Sequence, residues 1–347
     1  MKTYKNLYSE ICSFENLYLA FIKAKRRKRY KKGVGEFEYN LEKELFDIRR
    51  NLENLSYRPS KLKKFVLKEP KKRAIFVVNF KDRVVHHALC NVIEPIFNKS
   101  FIFDSYACRK NRGTHRAMRR IDEFKRKVTK NKTRKVHVLK IDMKKYFDNI
   151  NHRILLEIIK KRIKDKRTLW LIATILGNYH KNQQSEEVGI PIGNLTSQLF
   201  ANIYLNKLDH FIKEELRVKY YIRYMDDLFI LSNSINFLLE TKNAIDKFSK
   251  MELNLKLHPK KSKIFPLKRD IDFLGYRIFY DYKLLRKGSE KRIKNKLKFL
   301  GHEYAEDKKD LSQIYNSIMA WNGYSKWANT YKLRKELLTN LLFLMGK

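Results

Sequence analysis

Residues 220–231 read YYIRYMDDLFIL. Aromatic and aliphatic residues flank the dipeptide Asp226-Asp227 on both sides. The pattern predicts a strand, a tight turn and a second strand, with both aspartates at the turn. A plain hairpin turn would account for some of this, because Asp favours turns. It does not account for the cost. Two adjacent carboxylates between apolar strands repel each other and resist losing water, unless a cation neutralises them.

A third acid belongs to the same problem. VHVLKIDM, 136–143, reads as another strand and brings Asp142 to its end. Three carboxylates at strand ends suit a hard divalent cation, and Mg²⁺ takes few carboxylates together with substrate phosphates. Two such ions about 4 Å apart would activate an attacking hydroxyl and stabilise a leaving pyrophosphate.

The rest of the chain alternates helix and strand. Residues 1–58 show helical apolar spacing, interrupted by KAKRRKRYKK at 23–32, with eight basic residues in ten. In so basic a chain this run is expected to meet phosphate. FVLKEPKKRAIFVVNF, 65–80, reads as a hairpin with Lys71, Lys72 and Arg73 at its tip. Residues 81–97 read as a helix ending near Pro95, and 152–176 as Ile- and Leu-rich helices. GIPIGNLTSQ opens a further helix with Thr196 and Ser197 near its start. A helix over 235–250 follows, then a strand pair around LNLKLHP and IFPL, then DFLGYRIFY. Residues 289–347 read as a small helical domain. The fold class is therefore α+β, and no GxGxxG or GxxxxGK[ST] stretch points to a Rossmann or P-loop site.

Composition narrows the function. The chain has 347 residues, with 78 Lys or Arg against 37 Asp or Glu, a formal net charge of +41. A chain so basic repels itself without a polyanionic partner, which points to nucleic acid. It is 43% hydrophobic with 22 Phe, enough for a real core. No run approaches the roughly 18 apolar residues of a membrane span, so no membrane partner is expected. The N-terminus has no signal-peptide pattern. Cys12, Cys90 and Cys108 are odd in number and form no CxxC pair, which fits a reducing, cytoplasmic setting.

Several blocks, in order along nearly the whole chain, resemble those of reverse transcriptases. YMDD, 224–227, resembles the family signature. KKRAIFVVNFKDRVVHHAL resembles the fingers block, KIDMKKYFDNINH the first palm block and GIPIGNLTSQLFANIYL the second. LHPKKSKIF resembles the lysine-bearing block and FLGY the primer grip. The resemblance implies a right-hand polymerase fold: an N-terminal basic helical extension (1–58), fingers (59–135), a palm (136–282, with finger helices inserted near 152–185) and a helical thumb (283–347).

It also implies roles. Asp142, Asp226 and Asp227 would hold two Mg²⁺ ions, with Mn²⁺ able to substitute and the Met143 carbonyl assisting. Lys72 or Arg73 would hold the incoming triphosphate by charge-assisted contacts. Phe147 stands at the steric-gate position that crowds a 2′-hydroxyl; Ile192 and Gly193 lie beside the incoming nucleotide. Lys261 would stabilise the leaving pyrophosphate, with Lys260 and Lys263 as competitors. Tyr224 and Met225 would flank the primer terminus, and Phe273, Leu274, Gly275 and Tyr276 would support the primer strand. His86-His87 reads as structural, because no third ligand has metal spacing. Asp148 and Asn149 read as the start or cap of the helix at 152. Trp321 and Trp327 read as helical core.

The departures suggest a subtype. Most members carry Gln-Gly and then Ser-Pro in the second palm block, whereas this chain has Ile192-Gly193 and then Ser197-Gln198. Losing a polar contact where geometry is checked weakens discrimination. The pattern resembles reverse transcriptases of diversity-generating retroelements, which copy a template RNA with errors at adenines. SFENLYLAF and SIMAWNGYSKWANTYKLR resemble that group too. Stand-alone antiphage-defence reverse transcriptases, which copy a partner non-coding RNA, remain close rivals; a non-catalytic, maturase-like RNA-binding protein is a third reading. Retron enzymes carry a VTG motif that is absent here. Group II intron enzymes are longer, and a chain of 347 residues is expected to lack their further regions, an RNase H and an integrase. Expected partners are a dedicated structured template RNA, primer and cDNA, deoxynucleotides and, by the retroelement resemblance, a small basic accessory protein.

Overall fold

The computed structural model describes residues 2–69, 72–179, 187–306, 308 and 310–345. Four helices open the chain: α1 (Tyr8–Cys12), α2 (Phe14–Lys25), α3 (Lys32–Tyr39) and α4 (Leu41–Glu53). Ser13 caps α2 by accepting from the Asn16 N–H at 3.2 Å, which satisfies one of the unpaired donors of the first turn. The expected hairpin follows as β1 (Lys63–Leu67) and β2 (Arg73–Val77), paired antiparallel with Leu67 opposite Arg73. Lys71 lies outside the described residues.

Helix α5 (Phe80–Asn98) does not stop near Pro95 but runs through it for three more residues. Proline forfeits one intrahelical bond. Here that loss falls in the last turns, where Val92, Ile93, Ile96 and Phe97 are buried and hold the helix in place. Then come α6 (Thr114–Val128), β3 (His137–Asp142), a short 3₁₀ turn (Tyr146–Asn149), α7 (His152–Lys160) and α8 (Lys166–Gly177). The cap of α7 is Asn151, whose side chain accepts from the Ile154 N–H at 3.0 Å. Asp148 and Asn149 belong to the 3₁₀ turn instead.

Helix α9 (Leu195–His210) is buried on most of its surface, from Leu199 through Tyr204 to Leu208. The strands β4 (Tyr221–Tyr224) and β5 (Asp227–Ser232) form the expected hairpin around Met225-Asp226. Strands β4, β5 and β3 lie side by side in that order. The remaining elements are α10 (Ile235–Leu253), β6 (Lys263–Pro266), β7 (Ile271–Phe273), β8 (Tyr276–Ile278), β9 (Lys283–Leu285), α11 (Lys287–Ala305), α12 (Leu311–Ser325) and α13 (Tyr331–Met345). LNLKLHP does not pair with IFPL as a strand. It clasps the end of β3 instead: the Lys144 N–H donates to the Lys256 carbonyl at 2.9 Å and the His258 N–H to the Asp142 carbonyl at 2.7 Å. Alternating apolar residues signalled an extended segment there, but not its partner.

The mixed helix-and-sheet class with antiparallel hairpins is the one expected. By compactness the chain divides into two units, each discontinuous in sequence. The first gathers residues 1–113, 139–230 and 236–263; the second gathers 114–138, 231–235 and 264–347. In the second, Ile293, Leu297, Leu300, Ile314 and Leu337 form a helical core, with Trp321 packed against it. Trp327 stacks on His115, ring centroids 4.1 Å apart, beneath the Arg119 guanidinium. No described helix is long and apolar enough to cross a membrane.

Candidate active site

All three aspartates lie in the first compact unit. Asp142 ends β3, Asp227 begins β5 opposite Tyr224, and Asp226 sits in the two-residue turn. Met225 precedes it in the left-handed region, φ +56°. A non-glycine residue held there costs on the order of 1–3 kcal/mol and needs its surroundings to hold it.

The charges interact. Burial, then the negative charges of Asp227 and Asp142, push the Asp226 carboxyl up to about 6. Arg73 works in the opposite direction on the same carboxyl. Of the two fingers candidates, Arg73 is thus the one whose charge reaches the acids; Lys72 is exposed at the hairpin tip.

Two lysines lean on the other carboxylates. Lys261 Nζ lies 3.2 Å and 3.3 Å from the two Asp142 carboxylate oxygens. The backbone fixes it there. Besides the His258 bond, the Asp142 N–H donates to Ser262 Oγ at 3.2 Å, and that hydroxyl donates to the Asp142 carbonyl at 3.3 Å. The loop carrying Lys261 is therefore fastened to the strand end carrying Asp142. Lys260 and Lys263 make no comparable contact. Lys140 was missed in the sequence. Its Nζ is 3.7 Å from Asp227 Oδ1. The signal was present: Lys140 and Asp142 are two apart on one strand and share a face.

The donor set fits a divalent cation. It is all oxygen, and its mutual repulsion is visible at Asp226. Among the described residues, no three or more His, Cys, Asp or Glu side chains stand together so that they could hold a metal ion as they are placed. With lysines on two of the three carboxylates, the set is electrostatically coupled rather than closed.

The neighbouring blocks attach to the hairpin β1–β2. The Phe76 N–H donates to the Ile192 carbonyl at 2.9 Å. Gly193, φ +124°, is packed so closely that a Cβ would lie 2.8 Å from Ile75 Cγ2 and 3.0 Å from the Phe76 carbonyl oxygen. Gly193→Ala is expected to destabilise the protein by about 1–3 kcal/mol through strain and overpacking. A melting temperature equal to wild type would refute that account. Phe147 is half-buried, and its carbonyl accepts from the Ile190 N–H at 2.9 Å. Met143 is buried beside Leu257. His86 is buried, 3.1 Å from Thr196 Oγ1 through Nδ1, as a structural histidine would be.

The primer-grip block lies in the second unit. Leu274 and Gly275 both have positive φ, +53° and +91°, and join the pair Phe273 and Tyr276. That is the condition of the mirror-image hairpin turn. A Cβ on Gly275 would run into the Tyr324 hydroxyl, which donates to the Gly275 carbonyl at 3.0 Å. Phe273 and Tyr276 are fully buried, so they hold the turn from below rather than presenting their rings.

Residues 63–278 match the family "Reverse transcriptase (RNA-dependent DNA polymerase)". Protein YkfC of Escherichia coli is 31% identical over 148 residues, 42% of this chain and 38% of that protein. The group II intron-encoded protein LtrA of Lactococcus lactis is 30% identical over 185 residues, 52% of this chain and 30% of that protein. LtrA belongs to the class that chain length had argued against. The matched stretch covers only about a third of each relative's length. Among solved structures, an apo telomerase from Candida tropicalis aligns with 65% of this chain and 54% of its own, at TM-score 0.49 and 15% identity. With the family match covering well over half its length, the chain belongs to the reverse transcriptase family.

Proposed function

We propose that this protein is an RNA-directed DNA polymerase that extends a primer on a dedicated structured RNA. The observation that carries the reading is the acid cluster. Asp226 sits in a hairpin turn behind the left-handed Met225 and Asp227 opens the next strand, with Asp226 coupled in charge to both Asp227 and Asp142, within a chain of this family. Costly clustered carboxylates are what a protein that only coats RNA has no use for.

Asp142, Asp226 and Asp227 would hold the Mg²⁺ ions, with the Met143 carbonyl beside them. When bound, the ions would polarise the attacking hydroxyl and stabilise the leaving pyrophosphate. The chain's own residues do the rest. Arg73 holds the triphosphate against the acids, with Lys72 at the same tip. Lys261, already seated on Asp142, is placed to stabilise negative charge on the departing group. Phe147 crowds the 2′ position, and the hairpin at Leu274-Gly275 supports the primer.

The second palm block favours error-prone copying of the diversity-generating type. Ile192 offers no amide to check the geometry of the incoming base, so mispairs lose less there. Ile192→Gln is expected to lower the substitution rate opposite template adenines, read by sequencing cDNA from both proteins. Identical error spectra would reject this role for Ile192. The antiphage-defence reading shares the chemistry and differs in outcome.

Primer extension on a defined RNA, with four deoxynucleotides, Mg²⁺ and every product sequenced, tests the whole reading. Substitutions concentrated at adenines support diversity generation. Faithful cDNA supports the defence reading. RNA binding without extension by the wild-type protein would replace both with a maturase-like role.

A further inference from the structure

Arg223 immediately precedes the YMDD turn and is fully buried. So is its partner: Arg223 and Asp209 are both 0% exposed at the side chain. The guanidinium binds that carboxylate through Nε at 2.8 Å and 3.0 Å and through Nη2 at 2.7 Å. The Tyr221 hydroxyl donates to the same carboxylate at 2.6 Å. Nη1 turns the other way, donating to Asn202 Oδ1 at 3.0 Å and to the Met225 carbonyl at 3.2 Å. Asn202 and Asp209 are seven residues apart, two turns of α9, and so share one face of that helix. The Arg223 backbone is tied as well. Its N–H donates to the Asp104 carbonyl at 2.9 Å, and its carbonyl accepts from the Tyr106 N–H at 3.0 Å.

A buried ion pair is a poor way to gain stability, because well-packed apolar side chains do as well or better. It is a good way to fix a position. Peptide planarity couples the Met225 carbonyl to the Asp226 nitrogen, so a donor that fixes that oxygen also fixes where the Asp226 side chain sets out. Met225 is the left-handed residue of the turn. The hydrogen bond from Arg223 lies on the peptide that leads into Asp226, whose rotation would swing that side chain relative to Asp142 and Asp227.

We propose that Arg223, clamped by Asp209 and Asn202 of α9, is a positioning residue that orients the Met225–Asp226 peptide and thereby the acid cluster. The proposal rests on the polymerase reading for its effect on rate, but not for its effect on the turn.

The test compares wild type with Arg223→Met/Asp209→Leu, which removes both charges together and leaves no unpaired buried charge. Three quantities are read: amide exchange of peptide 224–228 with α5 amides as internal reference, Mn²⁺ affinity by electron paramagnetic resonance, and single-turnover extension. The expected result is a melting temperature near wild type, turn amides exchanging faster relative to α5, and Mn²⁺ affinity lower by roughly 10–100-fold, the usual cost of losing an outer support. Extension rate falls with them, about 10²-fold for a displacement near 1 Å, while the deoxynucleotide KM changes little. A folded double variant with wild-type turn exchange and Mn²⁺ affinity overturns the proposal. Should that variant fail to fold, Arg223→Lys decides. It keeps the charge but lacks the fork that reaches Asp209 and Met225 together. Wild-type exchange and Mn²⁺ binding in the Lys variant overturn the proposal equally. A wild-type protein that extends no primer defeats the polymerase reading alone, since exchange and Mn²⁺ binding still report on the turn.

Discussion

Asp227→Asn is expected to reduce primer extension by at least on the order of 10²–10³-fold, with no loss of folding. Asn keeps the size and one oxygen but removes the charge that a divalent cation needs. The fold should tolerate it for two reasons. Asp227 is one of the negative charges that push the Asp226 carboxyl upward, so its neutralisation relieves repulsion. Its lysine is not stranded either: Lys140 lies over the Phe229 ring, 5.3 Å from its centroid, and keeps 17% side-chain exposure. Single-turnover extension and a thermal melt, run on the same preparation, check both halves. Extension within a few-fold of wild type would remove Asp227 from the chemistry. A collapsed melt would move it into the scaffold.

The second large effect concerns salt. A chain of +41 that holds RNA through roughly 6–10 phosphates should lose about 10³–10⁵-fold in affinity between 50 and 200 mM salt. The N-terminal helices show why. Burial together with Arg83 and Lys31 pulls the Lys28 ammonium below its ordinary value. His87 falls to about 4 through burial and the charges of Arg83, Lys23 and Lys28. These cations crowd one another, and a bound phosphate relieves the repulsion. Fluorescence anisotropy of a labelled RNA across that salt range gives the slope directly. A flat profile would mean that the charge serves something other than phosphate.

Much of the fold was legible because its signals are local. Two acids between apolar runs announce a hairpin, and β4–β5 is that hairpin. The basic tip between FVL and AIFVV announces β1–β2 in the same way. What could not be read was pairing at a distance. LNLKLHP has the alternation of a strand, yet its partner is the end of β3 rather than the segment that follows it. Pro95 is a helix breaker by rule, but burial around it overrides the rule. The support of the site was hidden for the same reason. Arg223 sits among Tyr and Ile in an alternating strand, and nothing local says that Asp209, fourteen residues earlier, will meet it inside the protein. Lys260 and Lys263 stayed competitors of Lys261 in the sequence, because all three lie within four residues of one another. The bonds from His258 and Ser262 to Asp142 bring Lys261 to that carboxylate.

The bond from Phe76 to Ile192 has a consequence for how such a protein can change. Phe76 and Arg73 lie on one five-residue strand, and Gly193 is wedged against Ile75 and Phe76. Under the polymerase reading, the proposed grip on the triphosphate and the proposed mispair-tolerant surface are thus parts of one mechanical piece. On that reading, speed and accuracy cannot be adjusted independently here. A substitution that shifts β2 to hold nucleotides more tightly also shifts Ile192. Selection for a different error rate would therefore leave its trace on both sides of that contact, at 75–76 and at 192–193 together.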